Sequence, residues 1–169
     1  WRLAQQFSGC YETVNLGTGG YGTYQSLLTL QERLHDVDTA VTPKPALVFY
    51  MLNDFHEARN VGAYSFMRLF HPPRPSREPR FPFCGLNEGG KLSCTVARGE
   101  LVWPLYWYSR FAALVNDGVM EAKYRSRLTH ATEITELLLK EMDTAAHRNG
   151  ARFRVMLFAV SPEKKRVYT

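Results

Sequence analysis

Four glycines, Gly17, Gly19, Gly20 and Gly22, fall within six residues, directly before a helical pattern. Glycine allows positive φ values and lets the backbone come close to a ligand. The amides at the start of the following helix favour negative charge, which suits a phosphate or the oxyanion of an acyl-transfer reaction. The glycine turn therefore predicts anion binding, with two alternatives for the anion.

A second candidate site is the dipeptide Asn53-Asp54, which ends the apolar run 45–52. A run of this kind predicts a strand buried on both faces of a parallel sheet. Ligands of open parallel sheets bind outside the carboxyl ends of the strands, so we expect Asn53 and the glycine turn to face one site. The side-chain amide of Asn53 can donate to an oxyanion, and its alternative role is a cap at the strand end.

The pattern N-L-G-x-x-G-Y-G-T-x-Q-x-L-L begins at Asn15 and is followed, about thirty residues on, by the strand that ends in Asn53-Asp54. These segments resemble the SGNH (GDSL-type) hydrolases, which are serine esterases and acyl hydrolases. The resemblance implies that the backbone amide of Gly20 and the side chain of Asn53 form the oxyanion hole, with Asp54 and Gly22 in support. It implies no metal, no organic cofactor, and a small-molecule, carbohydrate or lipid ester as substrate.

Two motifs of that family do not occur in the sequence. The family nucleophile lies in Gly-Asp-Ser and its base in Asp-x-x-His, and neither is found among these 169 residues. The chain opens at Trp1 like the helix after the nucleophile and closes like the strand before the histidine. We therefore expect a middle fragment that is inactive alone, because serine and histidine act as a unit. A non-catalytic relative, used for binding or assembly, is an alternative.

A nucleotide-binding domain is the other alternative. The glycines of residues 17–22 also spell G-x-G-x-x-G, after a predicted strand and before a helix, as the dinucleotide fingerprint requires. That motif needs an acid about 20 residues further on, at the end of the next strand. Asp54 lies about thirty residues after the glycines, while Asp36 and Asp38 fall at a helix end. The spacing favours the hydrolase interpretation.

Composition predicts a single globular domain over residues 1–169. The chain is long enough for one core, and 45% hydrophobic with 22% charged residues is ordinary for such a domain. The net charge of +5 is scattered, apart from Arg68 to Arg80, so no nucleic-acid partner is expected. No run reaches the ~20 apolar residues that span a membrane. Secreted, periplasmic and cytoplasmic locations, and any oligomeric state, fit this composition equally.

Alternating strand and helix signals predict an α/β domain, and the resemblance implies a flavodoxin-like three-layer α/β/α fold with a mainly parallel sheet. Gly150 is expected to end the clearest helix, which then crosses over to a parallel strand. The predicted elements are helix 1–8, strand 11–16, helix 23–37, strand 45–52, helix 57–70, helix 104–116, helix 124–145 and strand 153–160.

The Pro-rich stretch 71–80 cannot form a helix interior. We expect residues 71–103 to be an insertion over the site end of the sheet. Within it, Lys91–Val96 and Glu100–Trp103 are predicted to pair as a small hairpin.

Cys10, Cys84 and Cys94 give neither a metal-ligand spacing nor an even disulfide framework. Cys84 and Cys94 flank a glycine-containing turn, so their spacing is consistent with a hairpin disulfide. It is equally consistent with two unpaired thiols.

Other candidate residues have simpler structural interpretations. Asp54, His56 and Glu57 could ligate a metal ion, but nothing elsewhere completes a ligand set, and a solvated helix start is favoured. Ser161 and Lys164 match the S-x-x-K nucleophile motif. Serine followed by proline is also an ordinary N-cap, which is the interpretation favoured here.

Overall fold

The structure, a computed structural model, describes residues 12–39, 45–68, 80–98, 103 and 105–168. These residues form a mixed α/β fold, as predicted. Its helices are α1 Thr23–Thr39, α2 Phe55–Asn60, α3 Tyr64–Met67, α4 Arg110–Leu128, α5 Ala131–Arg148 and α6 Pro162–Lys165. Its strands are β1 Leu47–Leu52, β2 Arg80–Leu86, β3 Leu92–Arg98 and β4 Arg152–Leu157.

Strands β1 and β4 form a parallel pair, from Leu47 opposite Arg152 to Leu52 opposite Leu157. Parallel neighbours require a crossover connection, and α5 leads into β4 through Gly150, whose φ is +76°. The predicted crossover of helix and parallel strand is therefore confirmed. The three-layer arrangement stays a prediction, because the described residues show only this small two-stranded parallel sheet.

The main core lies between one face of this sheet and the helices α1 and α5. Alternation along β1 turns Tyr50 and Leu52 inward and leaves Phe49 on the outer face, 60% exposed. The buried apolar side chains of the two helices that join this core are Leu27, Leu30, Leu34, Ile134, Leu138, Leu139, Met142 and Ala146. The periodic leucines thus lie on a helix, as predicted for residues 23–37, and this helix continues to Thr39.

A smaller second core explains why one predicted helix is two. The apolar spacing over 124–145 is continuous, but α4 ends at Leu128 and α5 begins at Ala131. Tyr124 packs with Tyr64 and Met120 in the second core, whereas Leu138 packs in the main core. A single periodic pattern therefore spans a turn between two helices that serve different cores.

The predicted helix break at Asn116-Asp117-Gly118 was wrong, because α4 continues through it. Asn116 is buried and donates to the Tyr64 hydroxyl at 3.3 Å, while that hydroxyl donates to Asp117 Oδ1 at 2.7 Å. These long-range hydrogen bonds use the side chains that would otherwise favour a turn. The start also differs: Ser109 caps α4, and residue 104, where the helix was predicted to begin, lies outside the described residues.

Two more predicted elements differ at the N-terminal side of the site. Residues 12–16 form no strand, and the remaining residue of that predicted strand, like helix 1–8, lies outside the described residues. The predicted helix 57–70 is instead α2 and α3, separated by a turn at Gly62, whose φ is +60°. Residues 69–70 of that helix lie outside the described residues.

Strand β3 pairs antiparallel with β2 rather than with the expected segment Glu100–Trp103. Of that segment the structure describes only Trp103, which is not in a strand. Cys84 lies directly opposite Cys94 in the register, and the two form a disulfide. Of the two alternatives for these cysteines, the hairpin disulfide is therefore the one observed.

The buried side chain of Asn60 joins three helices. Its amide nitrogen donates to Thr23 Oγ1 at 2.9 Å and to Thr135 Oγ1 at 2.8 Å, and its oxygen accepts from the Tyr24 amide at 3.3 Å. Asn60, Thr23 and Thr135 are all at most 1% exposed. Buried polar groups must be hydrogen-bonded, so this contact fixes where the first turn of α1 sits against α2 and α5.

Asn60→Ala should lower the free energy of unfolding by about 2–3 kcal/mol, because it leaves the Tyr24 amide unpaired and removes two buried hydrogen bonds. Urea unfolding followed by circular dichroism measures the change. Asn149→Ala is the matched control: it removes one hydrogen bond, to the Ala145 carbonyl at the end of α5, and should cost less than about 1 kcal/mol. Equal losses in the two variants would contradict a central role for Asn60.

Candidate functional site

The glycine turn leads directly into α1, as predicted. Gly20 has a φ of +89°, a conformation that side-chain-bearing residues rarely adopt, and the space beside its Cα is open. Among the described residues, none accepts a hydrogen bond from the Gly20 amide. Within the described part of the chain, the Gly20 N–H is therefore a donor that no internal hydrogen bond uses.

Gly22 has a packing role instead. A Cβ at this position would lie 2.8 Å from Asn60 Oδ1 and 3.0 Å from Arg59 Cβ, so only glycine lets α1 begin this close to α2. Its amide donates to Gln25 Oε1 at 2.6 Å, which is the side-chain half of a capping box at the start of α1. The support that Gly22 gives to the site is thus to let α1 pack against α2 and to take part in the cap of α1.

Most of the other amides of the turn are already used within the protein. The Gly17 amide donates to Asn15 Oδ1 at 2.9 Å, and the Tyr21 amide donates to the Thr18 carbonyl at 3.3 Å. At the helix start, the Gly22 amide donates to Gln25 Oε1 and the Tyr24 amide donates to Asn60 Oδ1. A pyrophosphate on a dinucleotide fold needs several free amides at the helix start. The amides of Gly22 and Tyr24, at the start of α1, would therefore reach a phosphate only if their internal acceptors were displaced.

Asn53 follows β1 directly, at the carboxyl end of the strand. Its Oδ1 accepts from the Phe55 amide at 3.0 Å, which is an Asx turn leading into α2. Because an N–H must face an oxygen, this contact fixes the amide orientation and leaves the Nδ2 group on the other side. No described residue accepts a hydrogen bond from Nδ2, so the cap at the strand end and a free donor coexist in one side chain.

Asp54 ties the end of β1 to the segment after β4. Its Oδ2 accepts from the Ser161 amide at 3.3 Å, and its Oδ1 is buried without a hydrogen bond, 4.0 Å from Lys164 Nζ. Ser161 also accepts from the Lys164 amide and caps α6, which confirms the predicted helix start. Asp54 thus supports the site by linking the end of β1 to the segment that follows β4.

Glu57 lies one turn below Asp54 and anchors the same C-terminal segment. It is 7% exposed, and it accepts from Lys164 Nζ at 2.7 Å and from the Tyr168 hydroxyl at 2.6 Å. Burial and the neighbouring carboxylate raise the pKa of Tyr168, so this phenol keeps its proton and remains a donor. Glu57 is therefore a buried anchor of the C-terminal segment, and the expectation that it belongs to a solvated helix start was wrong.

His56 belongs to a polar network that the sequence did not reveal. Its Nδ1 lies 2.8 Å from the Tyr50 hydroxyl, which in turn donates to Thr23 Oγ1 at 3.1 Å. Burial, with a smaller contribution from the charge of Arg59, lowers the pKa of His56 to about 4. Burial also raises the pKa of Tyr50 to about 12, so both groups are neutral at pH 7.

Arg59 holds the glycine turn against α2. Its Nη1 donates to the Tyr21 carbonyl at 3.1 Å, and its guanidinium lies 5.2 Å from the centroid of the Phe66 ring. The residues that bring the turn to the β1–α2 junction are therefore Arg59, through Tyr21, and Asn60. The structure records no hydrogen bond between Gly20 and Asn53 themselves.

No group of three or more His, Cys, Asp or Glu side chains in the part of the chain described could hold a metal ion. Within the same residues, no helix is long and apolar enough to cross a lipid bilayer. No family model, curated protein or solved structure matches the chain.

His56 should make the stability of the protein depend on pH. Its pKa falls from an ordinary 6.5 to about 4 on folding, so between these values the unfolded chain binds more protons. The stabilisation is therefore complete above pH 6.5 and is lost as the pH falls through about 4. Urea midpoints at pH 4.5, 5.5 and 7 should rise with pH, and His56→Asn should flatten part of that rise.

The control for this experiment is His147→Asn, which changes an exposed histidine on α5 and leaves His56 in place. It should keep the pH dependence of the wild type. An unchanged slope in His56→Asn would contradict the assignment to His56.

Proposed function

We propose that this chain carries the oxyanion-hole half of an SGNH-like ester or acyl hydrolase. The observation that supports the proposal is a pair of donors, the Gly20 amide and the Asn53 side-chain amide, that have no acceptor among the described residues and lie on elements joined by Arg59. These are the two residues for which the sequence resemblance implies that role. The proposed substrates are small-molecule, carbohydrate or lipid esters, and the reaction requires no metal or organic cofactor.

The proposed chemistry is acyl transfer through a tetrahedral intermediate. A serine oxygen attacks the ester carbonyl as its proton passes to the base, and the carbonyl oxygen takes up the negative charge. The C–O bond to the alcohol then breaks, and the alcohol leaves with the proton from the base. Two preorganised N–H donors stabilise that charge, each lowering the barrier by ~3 kcal/mol. The direction of the Gly20 amide is set by the turn that the Tyr21 amide closes on the Thr18 carbonyl, and the Asn53 amide is oriented by the bond from Phe55 to its oxygen.

In this proposal, the nucleophile and the base lie in sequence outside the 169 residues of this chain. The histidine described next to the site, His56, is held by Tyr50 and sits on α2, not in an Asp-x-x-His motif. The given chain is therefore proposed to bind the oxyanion in a complete domain and to be inactive alone.

The three-layer α/β/α architecture forms part of the same proposal. Parallel sheets are normally covered on both faces, and α1 and α5 cover one face of the β1–β4 pair. On the other face, Leu47, Phe49 and Met51 are exposed by 44%, 60% and 55%. A further layer in the complete domain would bury this apolar surface. The exposed face is also what a non-catalytic binding or assembly module would use, which makes that the second candidate function.

The decisive experiment compares this chain with the intact product of its source gene in p-nitrophenyl ester hydrolysis. The intact product should contain Gly-Asp-Ser and Asp-x-x-His, and Asn53→Ala should lower its kcat by about 10²–10³-fold. Asn149→Ala, far from the site at the end of α5, should leave kcat unchanged. The 169-residue chain should not exceed the rate of its own Asn53→Ala variant.

Two results would count against the proposal. Asn53-dependent hydrolysis by the 169-residue chain would mean that the nucleophile lies within it. An intact product with neither motif and no hydrolysis would favour the binding module, whose partner would then be sought at the exposed face of β1.

A further inference from the structure

A groove of about 570 Å³ lies on the side of the molecule formed by the β2–β3 hairpin and the α4–α5 turn. This volume is within the range of small-molecule sites. The disulfide between Cys84 and Cys94 braces the hairpin wall of the groove. The side chains that line the groove include Phe83, Glu88, Arg127, His130 and Glu133.

Arg127 is the most constrained cation in this groove. Its guanidinium lies 4.1 Å from the centroid of the Tyr124 ring and 4.4 Å from that of Phe83. Its Nη1 also lies 3.5 Å from the position that a Cβ on Gly62 would take. Two rings and a glycine backbone thus hold the planar group in place, which reduces the entropy that it loses when it binds a ligand.

The donors of Arg127 are not used by the part of the chain that the structure describes. No carboxylate, carbonyl or hydroxyl of the described residues accepts a hydrogen bond from its guanidinium. A guanidinium carries five N–H donors in a fork that matches a carboxylate in two parallel hydrogen bonds. A half-buried, preorganised fork that opens into a groove is therefore a recognition element for a carboxylate.

The other charges of the groove restrict the ligand further. Glu133 Oε2 lies 3.2 Å from His130 Nδ1, and Glu88 lies on the hairpin turn. Two carboxylates therefore share the groove with Arg127. Two negative charges disfavour multiply charged anions such as nucleotide phosphates. They favour a ligand whose single carboxylate is accompanied by a cationic amine.

We propose that this groove binds a free, zwitterionic amino acid. Arg127 takes the carboxylate, Glu88 and Glu133 attract the ammonium group, and the ring of Phe83 contacts an apolar side chain. The site is separate from Gly20 and Asn53, and it does not depend on the proposed hydrolase function.

The test is an NMR titration of the ¹⁵N-labelled chain with three related probes: L-leucine, N-acetyl-L-leucine and L-leucinamide. L-Leucine should saturate, with shifts confined to the groove residues. Leucinamide lacks the carboxylate and should bind at least tenfold more weakly, and N-acetyl-leucine, which lacks the cation, should be intermediate. Equal affinity for leucinamide and leucine, or no saturation by leucine, overturns the proposal.

Matched arginine variants locate the binding. Arg127→Met should lower the affinity for leucine at least tenfold, whereas Arg125→Met, which changes an exposed arginine on the same helix, should stay within twofold. Arg127→Lys keeps the charge but loses the fork, so it should fold and still bind several-fold more weakly. This variant decides the matter if Arg127→Met does not fold. Equal effects at positions 125 and 127, or full affinity in Arg127→Lys, contradict the assignment.

Discussion

The arrangement of the site depends on the buried side chain of Asn60. One amide satisfies the first turn of α1, the end of α2 and the first turn of α5 at the same time. Because an unsatisfied buried amide costs about 1–3 kcal/mol per group, the three helices can assemble with few alternative positions. The glycine turn immediately precedes α1, so its position relative to β1 follows from this contact. Gly22 is required by the same contact, since any side chain there would collide with Asn60.

Helix α2, which is six residues long, carries structural residues next to the candidate site residue Asn53. Asn53 precedes it, Glu57 anchors the C-terminal segment through Lys164 and Tyr168, and Asn60 closes it. A helix this short is not stable alone, so its position is set by tertiary contacts. The same contacts that stabilise α2 therefore place Asn53 at the end of β1, and a change that loosens α2 would move the site as well.

The sequence was sufficient to predict the structural elements that depend on residues close together in the chain. The leucines of α1, the crossover from α5 to β4 and the cap of Ser161 are all local signals, and the structure confirms them. The apolar run of β1 forms the predicted parallel strand, but the expected burial on both faces was wrong for the described residues, because only one face of β1 is covered by helices. The pairing of β2 with β3 was missed because Pro82 argues against a strand, although proline is tolerated in a two-stranded ribbon where every strand is an edge.

Long-range polar contacts account for the remaining errors and omissions. The buried hydrogen bonds of Tyr64 with Asn116 and Asp117 span 52 and 53 residues, and they keep α4 helical where the local pattern N-D-G predicts a break. At the site, Gly20 and Asn53 were named from motifs. Arg59 was not, because its partner Tyr21 is 38 residues away, and neither was the bridge from Asn60 to Thr135, which spans 75 residues. No periodicity or spacing rule marks such pairs.

The glycine turn illustrates why a motif alone leaves its ligand open. The letters G-x-G-x-x-G describe a backbone that can bind a phosphate or an oxyanion, and the difference lies in which amides remain free. Here Gln25 and Asn60 accept from the amides of Gly22 and Tyr24 at the helix start, whereas the Gly20 amide has no described acceptor. A diphosphate bound by the Gly22 and Tyr24 amides would have to displace those internal acceptors, one of which is the Asn60 side chain that joins three helices. A single oxyanion at the Gly20 amide would not, and this difference in cost is why we propose acyl transfer rather than nucleotide binding.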